Sequence, residues 1–370
     1  MQILFGFKDV GGTNAIFPVV EKVQSRGDVA PILYADGVSF ERFKAAYPLI
    51  STGFNPEELL KWFKPQVVVT TTCSPGGVVP VELVIHAKSM GIKTVVVQDY
   101  WGNHLKDPFW KDSKLRKPKY LPDLMCVQDE FAKRLVLENW PEYSPEQVII
   151  TGQPAFDRLR KVRCDLARPN LRRFFNLSEE SWPVVHFSGQ IWGQAQAIGA
   201  TIEALNMVGK PVYFFLRDHP RLLASDAPPE YKQYYEAYKD LPYALKKGRI
   251  INSSHFNSSD SVNAGADIVM GISSTAIVEA CYLGKWCIST WVPEGAQAVY
   301  EESAGALNVF PPVALGACLS GSNAKELARC FERIFRHEKT REIYDAQKIH
   351  FLTDGKSAER VYEVISNAIG

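Results

Sequence analysis

The chain has 370 residues, with 42 Lys and Arg against 41 Asp and Glu, and a hydrophobic share of 46%. That length predicts two domains with ample core, and a formal net charge of +1 excludes bulk attraction to nucleic acid. Seven cysteines stand apart at 73, 126, 164, 281, 287, 318 and 330, which suits reduced, buried thiols better than a disulfide framework or a zinc site. No apolar run approaches the roughly 20 residues that span a bilayer. The opening Met1-Gln2-Ile3-Leu4-Phe5-Gly6-Phe7 has neither the length nor the basic leader of a signal peptide. A cytoplasmic protein is expected, and peripheral contact with the inner membrane is compatible with it.

Residues 2–7 read as a first strand, followed by Asp9-Val10-Gly11-Gly12-Thr13-Asn14 and a helical pattern to Arg26. Gly11 and Gly12 allow a sharp turn and close approach of a ligand, and Thr13 is a candidate helix cap. This is not the Gly-x-Gly-x-x-Gly fingerprint, so the loop is assigned to an acceptor rather than to a dinucleotide. A second strand covers 30–34 and a helix 40–46. A helix over 56–63 opens with Asn55 as cap and Pro56 at its first position. Val67-Val68-Val69-Thr70-Thr71 is an uninterrupted β-branched run, the mark of a parallel strand covered on both faces. A Ser74-Pro75-Gly76-Gly77 loop and a helix over 81–90 follow, then the strand 94–97.

That strand ends in Gln98-Asp99-Tyr100-Trp101-Gly102-Asn103-His104. A carboxylate and an imidazole beside an aromatic surface suit a sugar acceptor, whose hydroxyl proton a general base removes. Asp99, His104 and Asp9 are the candidate bases, in that order. Asp9 could instead cap the helix that follows it. Trp101 is read as a stacking surface, with Gly11, Gly12, Asn14, Asn103 and Gln153 on the acceptor side. Residues 107–119 form a basic, aromatic loop able to meet anionic headgroups. A strand at 124–127, a helix at 130–139 and the strand Val148-Ile149-Ile150 ending in Gly152-Gln153-Pro154 complete the first half.

A hinge region spans 164–182, with a short helix over 171–176. The strand 184–188 then ends in Ser188-Gly189-Gln190, a turn suited to phosphate contact through backbone N–H groups. Helix 195–208 leads to the apolar strand 212–216, which stops abruptly at Arg217-Asp218-His219-Pro220-Arg221. An aromatic-rich helix over 230–240, a strand at 250–252 and a helix at 260–264 precede Ile268-Val269-Met270-Gly271-Ile272-Ser273-Ser274-Thr275. Ser273, Ser274 and Thr275 are N-capping residue types, and free N–H groups with the positive helix end favour phosphate there. Glu279, one turn on, could reach a ribose hydroxyl. A strand at 287–290 and helices over 323–335 and 339–368 follow, the last broken at Asp354-Gly355-Lys356.

His219-Pro220 followed some fifty residues later by Ser273-Ser274-Thr275 resembles the nucleotide-binding half of GT-B glycosyltransferases. More narrowly, it resembles bacterial surface-polysaccharide transferases that use CMP-sugars or CDP-activated alcohols. The resemblance extends to residues 9–15, 98–103, 151–157 and 354–361. It implies an α/β fold of two facing Rossmann-like doubly wound domains with an interdomain cleft. The expected limits are 1–165 for an acceptor-side domain, 166–345 for a nucleotide-donor domain, and 346–370 for a helix returning to the first. Ser188, Gly189, Arg217, His219, Pro220, Ser273, Ser274 and Thr275 would hold the nucleotide phosphates and Glu279 the ribose. The donor would be CMP-, CDP- or UDP-linked and the acceptor a saccharide or lipid-linked saccharide. No Asp-x-Asp motif ends a strand, so no metal or other cofactor is expected. Non-hydrolysing sugar-nucleotide epimerases share the fold, and Gly152-Gln153-Pro154-Ala155-Phe156-Asp157 is similar to them. Their Ser-Gly-Gly turn and Arg-Thr-Glu-Arg-Pro-Glu segment are missing here, which argues for transfer over epimerisation. A nucleotide-sugar-binding protein without catalysis is the remaining alternative.

Overall fold

A computed structural model describes every residue except 1, 28, 36–38, 42–43, 45–48, 52–54, 73–77, 107–109, 111–119, 190, 220–221, 223–227, 233–244, 255, 257–258 and 339. The loop 74–77, Gln190, Pro220, Arg221, Cys73, all the basic side chains of 107–119, and most of the helices expected over 40–46 and 230–240 therefore lie outside the described residues. The chain forms two compact units. One comprises 1–160, 302–307 and 351–370, the other 161–301 and 308–350.

The first unit is built on strands β1 (Gln2–Phe7), β2 (Ala30–Ala35), β3 (Leu49–Ser51), β4 (Val67–Thr71), β5 (Lys93–Val97), β6 (Leu124–Val127) and β7 (Val148–Ile150). They form a parallel sheet in the order β3-β2-β1-β4-β5-β6-β7. The second unit contains β8 (Val184–Ser188), β9 (Val212–Arg217), β10 (Gly248–Asn252), β11 (Ile268–Gly271), β12 (Trp286–Thr290) and β13 (Leu319–Gly321). Their order is β10-β9-β8-β11-β12-β13, again parallel. Both sheets thus follow the doubly wound order, in which the chain reverses direction beside its first strand.

The apolar runs are explained by two-sided cover. On one face of the first sheet, Ile3, Phe5, Val67, Val69 and Val95 pack with Ile16, Val20, Val361 and Ile365 from helices Val10–Arg26 and Ser357–Ile369. On the other, Leu4 and Val68 pack with Leu59, Leu60 and Leu83. Each such side chain contributes roughly 1.5–3 kcal/mol when fully buried. The C-terminal helix is also fastened by hydrogen bonds. Asp157 caps it, its carboxylate accepting from Ser357 N (3.0 Å) and Ala358 N (2.8 Å), while Arg360 Nε donates to Thr151 O (2.9 Å). The similarity segments 151–157 and 354–361 are therefore partners in a helix cap.

Some boundaries differ from the sequence reading. Asp9 caps the first helix, its Oδ1 accepting from Gly12 N at 2.7 Å. Thr13 lies inside that helix, and Gly11 and Gly12 form its first turn instead of a separate loop. The hinge helix starts at Cys164 and runs to Phe174 through Pro169. It starts earlier than the expected 171–176, and its Leu171 packs closely on Gly265, where an added Cβ would lie 2.8 Å from the leucine Cδ2. The short strands β3 and β13 and the helix Pro293–Glu302 were not anticipated.

A Cβ at Gly12 would sit 2.3 Å from Thr71 Oγ1, and a β-branched residue in a buried strand has little room to yield. Gly12→Ala should therefore destabilise the fold by about 1–3 kcal/mol through overpacking, despite alanine's better helix propensity. The midpoint of urea unfolding checks this.

Candidate functional site

The carboxyl ends of β1, β4 and β5 bring together Asp9, Thr72 and Asp99. Asp99 is half-buried. Thr72 Oγ1 donates to its Oδ1, and Asn103 Nδ2 donates to both carboxylate oxygens at 2.8 and 2.9 Å. The backbone is clamped as well. Asp99 N donates to Thr72 Oγ1 (3.1 Å), and Gln153 Nε2 donates to the carbonyls of Asp99 (2.9 Å) and Gln98 (3.1 Å). Gly11 leaves room for the carboxylate: a Cβ there would lie 2.9 Å from Asp99 Oδ2 and 3.6 Å from Asp9 Oδ1. Two carboxylates thus flank one glycine.

Burial, and then the neighbouring charge of Asp9, push the Asp99 carboxyl up to about 6; the bonds from Thr72 and Asn103 and the charge of Lys106 oppose them. A carboxyl titrating near 6 is largely ionised at neutral pH yet basic enough to take a proton, which is what a general base requires. Asn14, one turn into the helix, is exposed.

Other first-unit candidates are corrected. His104 has no solvent exposure. Its Nδ1 pairs with Gln98 Nε2 at 3.1 Å and its ring stands edge-on to Trp140, centroids 5.1 Å apart. An imidazole so enclosed cannot reach an acceptor. Trp101 is likewise core, 1% exposed, with its indole N–H donating to Asp129 at 3.1–3.2 Å. It offers no stacking face. Asn103 and Gln153 hold Asp99 and do not present their amides to an acceptor.

In the second unit, Ser188, Gly189, Arg217, His219, Ser273, Ser274 and Thr275 line one cavity of about 350 Å³, joined by Asp218 and Ser259. Ser274 caps helix Thr275–Tyr282, its Oγ accepting from Ala276 N (3.2 Å) and pairing with Ser188 Oγ (2.8 Å). The positive end of that helix faces the cavity. Gly189 is required by close approach: a Cβ would meet Arg217 O at 2.4 Å and His219 N at 2.6 Å. Ser254 Oγ and Gln194 Nε2 hold the Asp218 carboxylate at 3.0 and 3.2 Å.

Two donor-side expectations shift. Arg217 reaches the cavity, but its Nη1 donates to the carbonyls of Ser253 (2.8 Å) and Phe256 (2.9 Å), tying down the chain after β10. Glu279 is only 6% exposed and is not among the lining residues. Its Oε2 accepts from Asn263 Nδ2 (3.0 Å), and Asn263 Oδ1 accepts from His186 Nδ1 (2.8 Å). Burial lowers His186 to about 4, so a neutral imidazole anchors this relay behind the serines. Thr72, Asp218, Ser259 and Asn263 were not singled out by sequence. Thr72 alone had a usable signal, a hydroxyl at the end of an apolar strand.

No family model matches the sequence, and no curated protein is similar to it by sequence. Solved structures are similar over nearly the whole chain. UDP-GlcNAc 2-epimerase from Neisseria meningitidis, bound to UDP-GlcNAc, is 14% identical with a TM-score of 0.65, over 99% of this chain and 100% of that one. MurG from Acinetobacter baumannii is 13% identical with a TM-score of 0.63, over 99% and 100%. A glycosyltransferase from Rickettsia africae is 13% identical with a TM-score of 0.62, over 100% and 98%. The chain has the GT-B fold, an α/β architecture of two Rossmann-like units. Among the described residues, no helix is long and apolar enough to cross a membrane.

Two aspartates, Asp99 and Asp129, are raised to about 6, in each case chiefly by burial. Carbon-13 NMR of aspartate-labelled protein should show both carboxyls titrating there. Asp9→Asn should move only the Asp99 midpoint downward, since it removes a like charge.

Proposed function

We propose that the protein is a metal-independent transferase acting in bacterial surface-polysaccharide synthesis. It moves a sugar or related group from a CMP-, CDP- or UDP-linked donor to a saccharide or lipid-linked saccharide acceptor. The observation that carries this reading is the convergence of seven residues, singled out by type and spacing, on one cavity at the carboxyl ends of β8, β9 and β11. Ligands of open α/β sheets bind at that end. Serine hydroxyls and a helix N-terminus there suit a nucleotide's phosphates. Similar folds solved with UDP-GlcNAc or UDP bound favour a UDP-linked donor among the three.

In this mechanism the leaving nucleotide's developing charge is stabilised by the helix Thr275–Tyr282 and His219. Arg217 shapes the cavity, because its guanidinium is engaged with carbonyls. Asp99 removes the proton from the acceptor hydroxyl as the new glycosidic bond forms. Thr72 and Asn103 fix its carboxylate, and Asp9 keeps it basic.

The second reading is a sugar-nucleotide epimerase, favoured by the fold similarity to UDP-GlcNAc 2-epimerases. It requires turnover of the nucleotide-sugar with no acceptor present. Incubation with CMP-, CDP-, UDP- and GDP-activated compounds, with and without saccharide acceptors, separates the two. Product that appears only with acceptor supports transfer, and turnover without it overturns transfer.

Ser273→Ala with Ser274→Ala should weaken binding of the best nucleotide by roughly 1–3 kcal/mol through loss of charge-assisted bonds, measured by calorimetry. Asp99→Asn should lower turnover by about 10²–10⁴-fold while leaving nucleotide affinity unchanged. In the parent protein kcat/KM should rise with pH through about 6, as Asp99 loses its proton. A flat profile between pH 5 and 7 would count against Asp99 as the base.

A further inference from the structure

A cavity of about 590 Å³ in the second unit lies at the opposite end of its sheet from the serines. Pro183, Pro211, Ile268 and Trp286 line it, and these residues precede or begin β8, β9, β11 and β12. All four strands are parallel, so this is the amino edge of the sheet. At roughly 3.3 Å per residue, strands of four to six residues put it some 13–20 Å from the cavity at the carboxyl edge.

Its walls combine two chemistries. Trp182, Trp286 and Tyr344 supply rings, the last two tilted against each other with centroids 5.6 Å apart. Arg168, Lys210 and Lys285 supply positive charge. Among the described lining residues the one carboxylate, Asp267, is committed. It pairs with Arg168 (3.2 Å), and its Oδ2 accepts from Val184 N (2.8 Å).

Helices end around this cavity, and cations at helix C-termini are stabilising without any ligand. That accounts for one bond, from Lys285 Nζ to Ala264 O at 2.7 Å. An ammonium has three donors, however, and among the described residues Lys210 makes a cation–π contact, 5.0 Å above the Phe335 ring. Burial, together with the neighbouring charge of Arg168, lowers the Lys285 pKa against the opposing pull of Cys164 and Asp267.

We propose that this cavity is a second binding site, for a phosphate monoester carried on a ring. Lys210 and Lys285 take the phosphate, and Trp182, Trp286 and Tyr344 take the ring. The volume falls within the usual range for small-molecule sites. The site does not depend on the proposed transfer reaction.

The test uses the full chain with UMP, glucose 1-phosphate and inorganic phosphate in equilibrium dialysis and calorimetry. Lys210→Glu is the first variant, at an exposed position. Lys285→Met is the second, with circular dichroism to confirm folding. Ser273→Ala with Ser274→Ala serves as the background in which the other cavity is weakened. In that background, either UMP or glucose 1-phosphate should still bind, and the one that binds identifies the ring. Lys210→Glu should weaken that binding at least tenfold, and inorganic phosphate should compete with it. The proposal is overturned if neither ester binds at millimolar concentration. It is equally overturned if affinity in the serine background is unchanged by both Lys210→Glu and a folded Lys285→Met. Failure of the serine variants to affect any binding would count against the donor cavity alone.

Discussion

Everything chemical in this chain depends on the direction of its strands. Among the described residues, thirteen strands lie in two sheets, and every pairing is parallel. A parallel sheet needs a crossover after each strand, so each unit delivers its strand-end loops to one edge. The order reverses beside β1 and beside β8, and there successive crossovers leave for opposite faces. Asp9, Thr72 and Asp99 stand at that reversal in the first unit, and Ser188, Arg217 and Ser274 in the second. The apolar strands are thus both the core and the positioning device.

The two units use the same edge differently. The first crowds a carboxylate against another carboxylate and holds it with two side-chain donors. That arrangement costs stability when ionised. Asp99 has its pKa raised on folding, so its ionised form is disfavoured in the folded chain above about 6 and the penalty disappears as pH falls. The second unit instead presents hydroxyls and helical N–H groups, which carry no net charge of their own. An electron-rich group belongs beside a proton to be removed, and electron-poor donors beside an anion.

The fold was legible in the sequence because its signals are local. β-branched runs such as 67–71, Asn55 before Pro56, and the Ser-Ser-Thr cap each specify an element from neighbouring residues. The strand-end residues were found by the same logic. What failed was the direction in which side chains point. His104 and Trp101 follow Asp99 closely, yet a positive φ of 77° at Gly102 turns the chain, and both side chains are enclosed in the core. Asn103, between them, turns back to Asp99. Nothing in a linear pattern distinguishes these three fates. Gln153 and Glu279 show the same limit, since a buried polar side chain declares its partner only in three dimensions.

The glycines clarify why the site has this shape. Gly11 and Gly12 were read as a sharp turn open to a ligand, and Gly189 as part of a phosphate-binding turn, yet none of them adopts a positive φ. Their value is the missing Cβ: Asp99 fills the space at Gly11, Thr71 that at Gly12, and the backbone of Arg217 and His219 that at Gly189. A larger residue at Gly11 would displace the carboxylate held by Thr72 and Asn103. A larger residue at Gly189 would push β8 from β9 where the cavity opens. In both units, then, the geometry of the reactive groups is set by how closely two strand ends can approach, and glycine is the residue that fixes that distance.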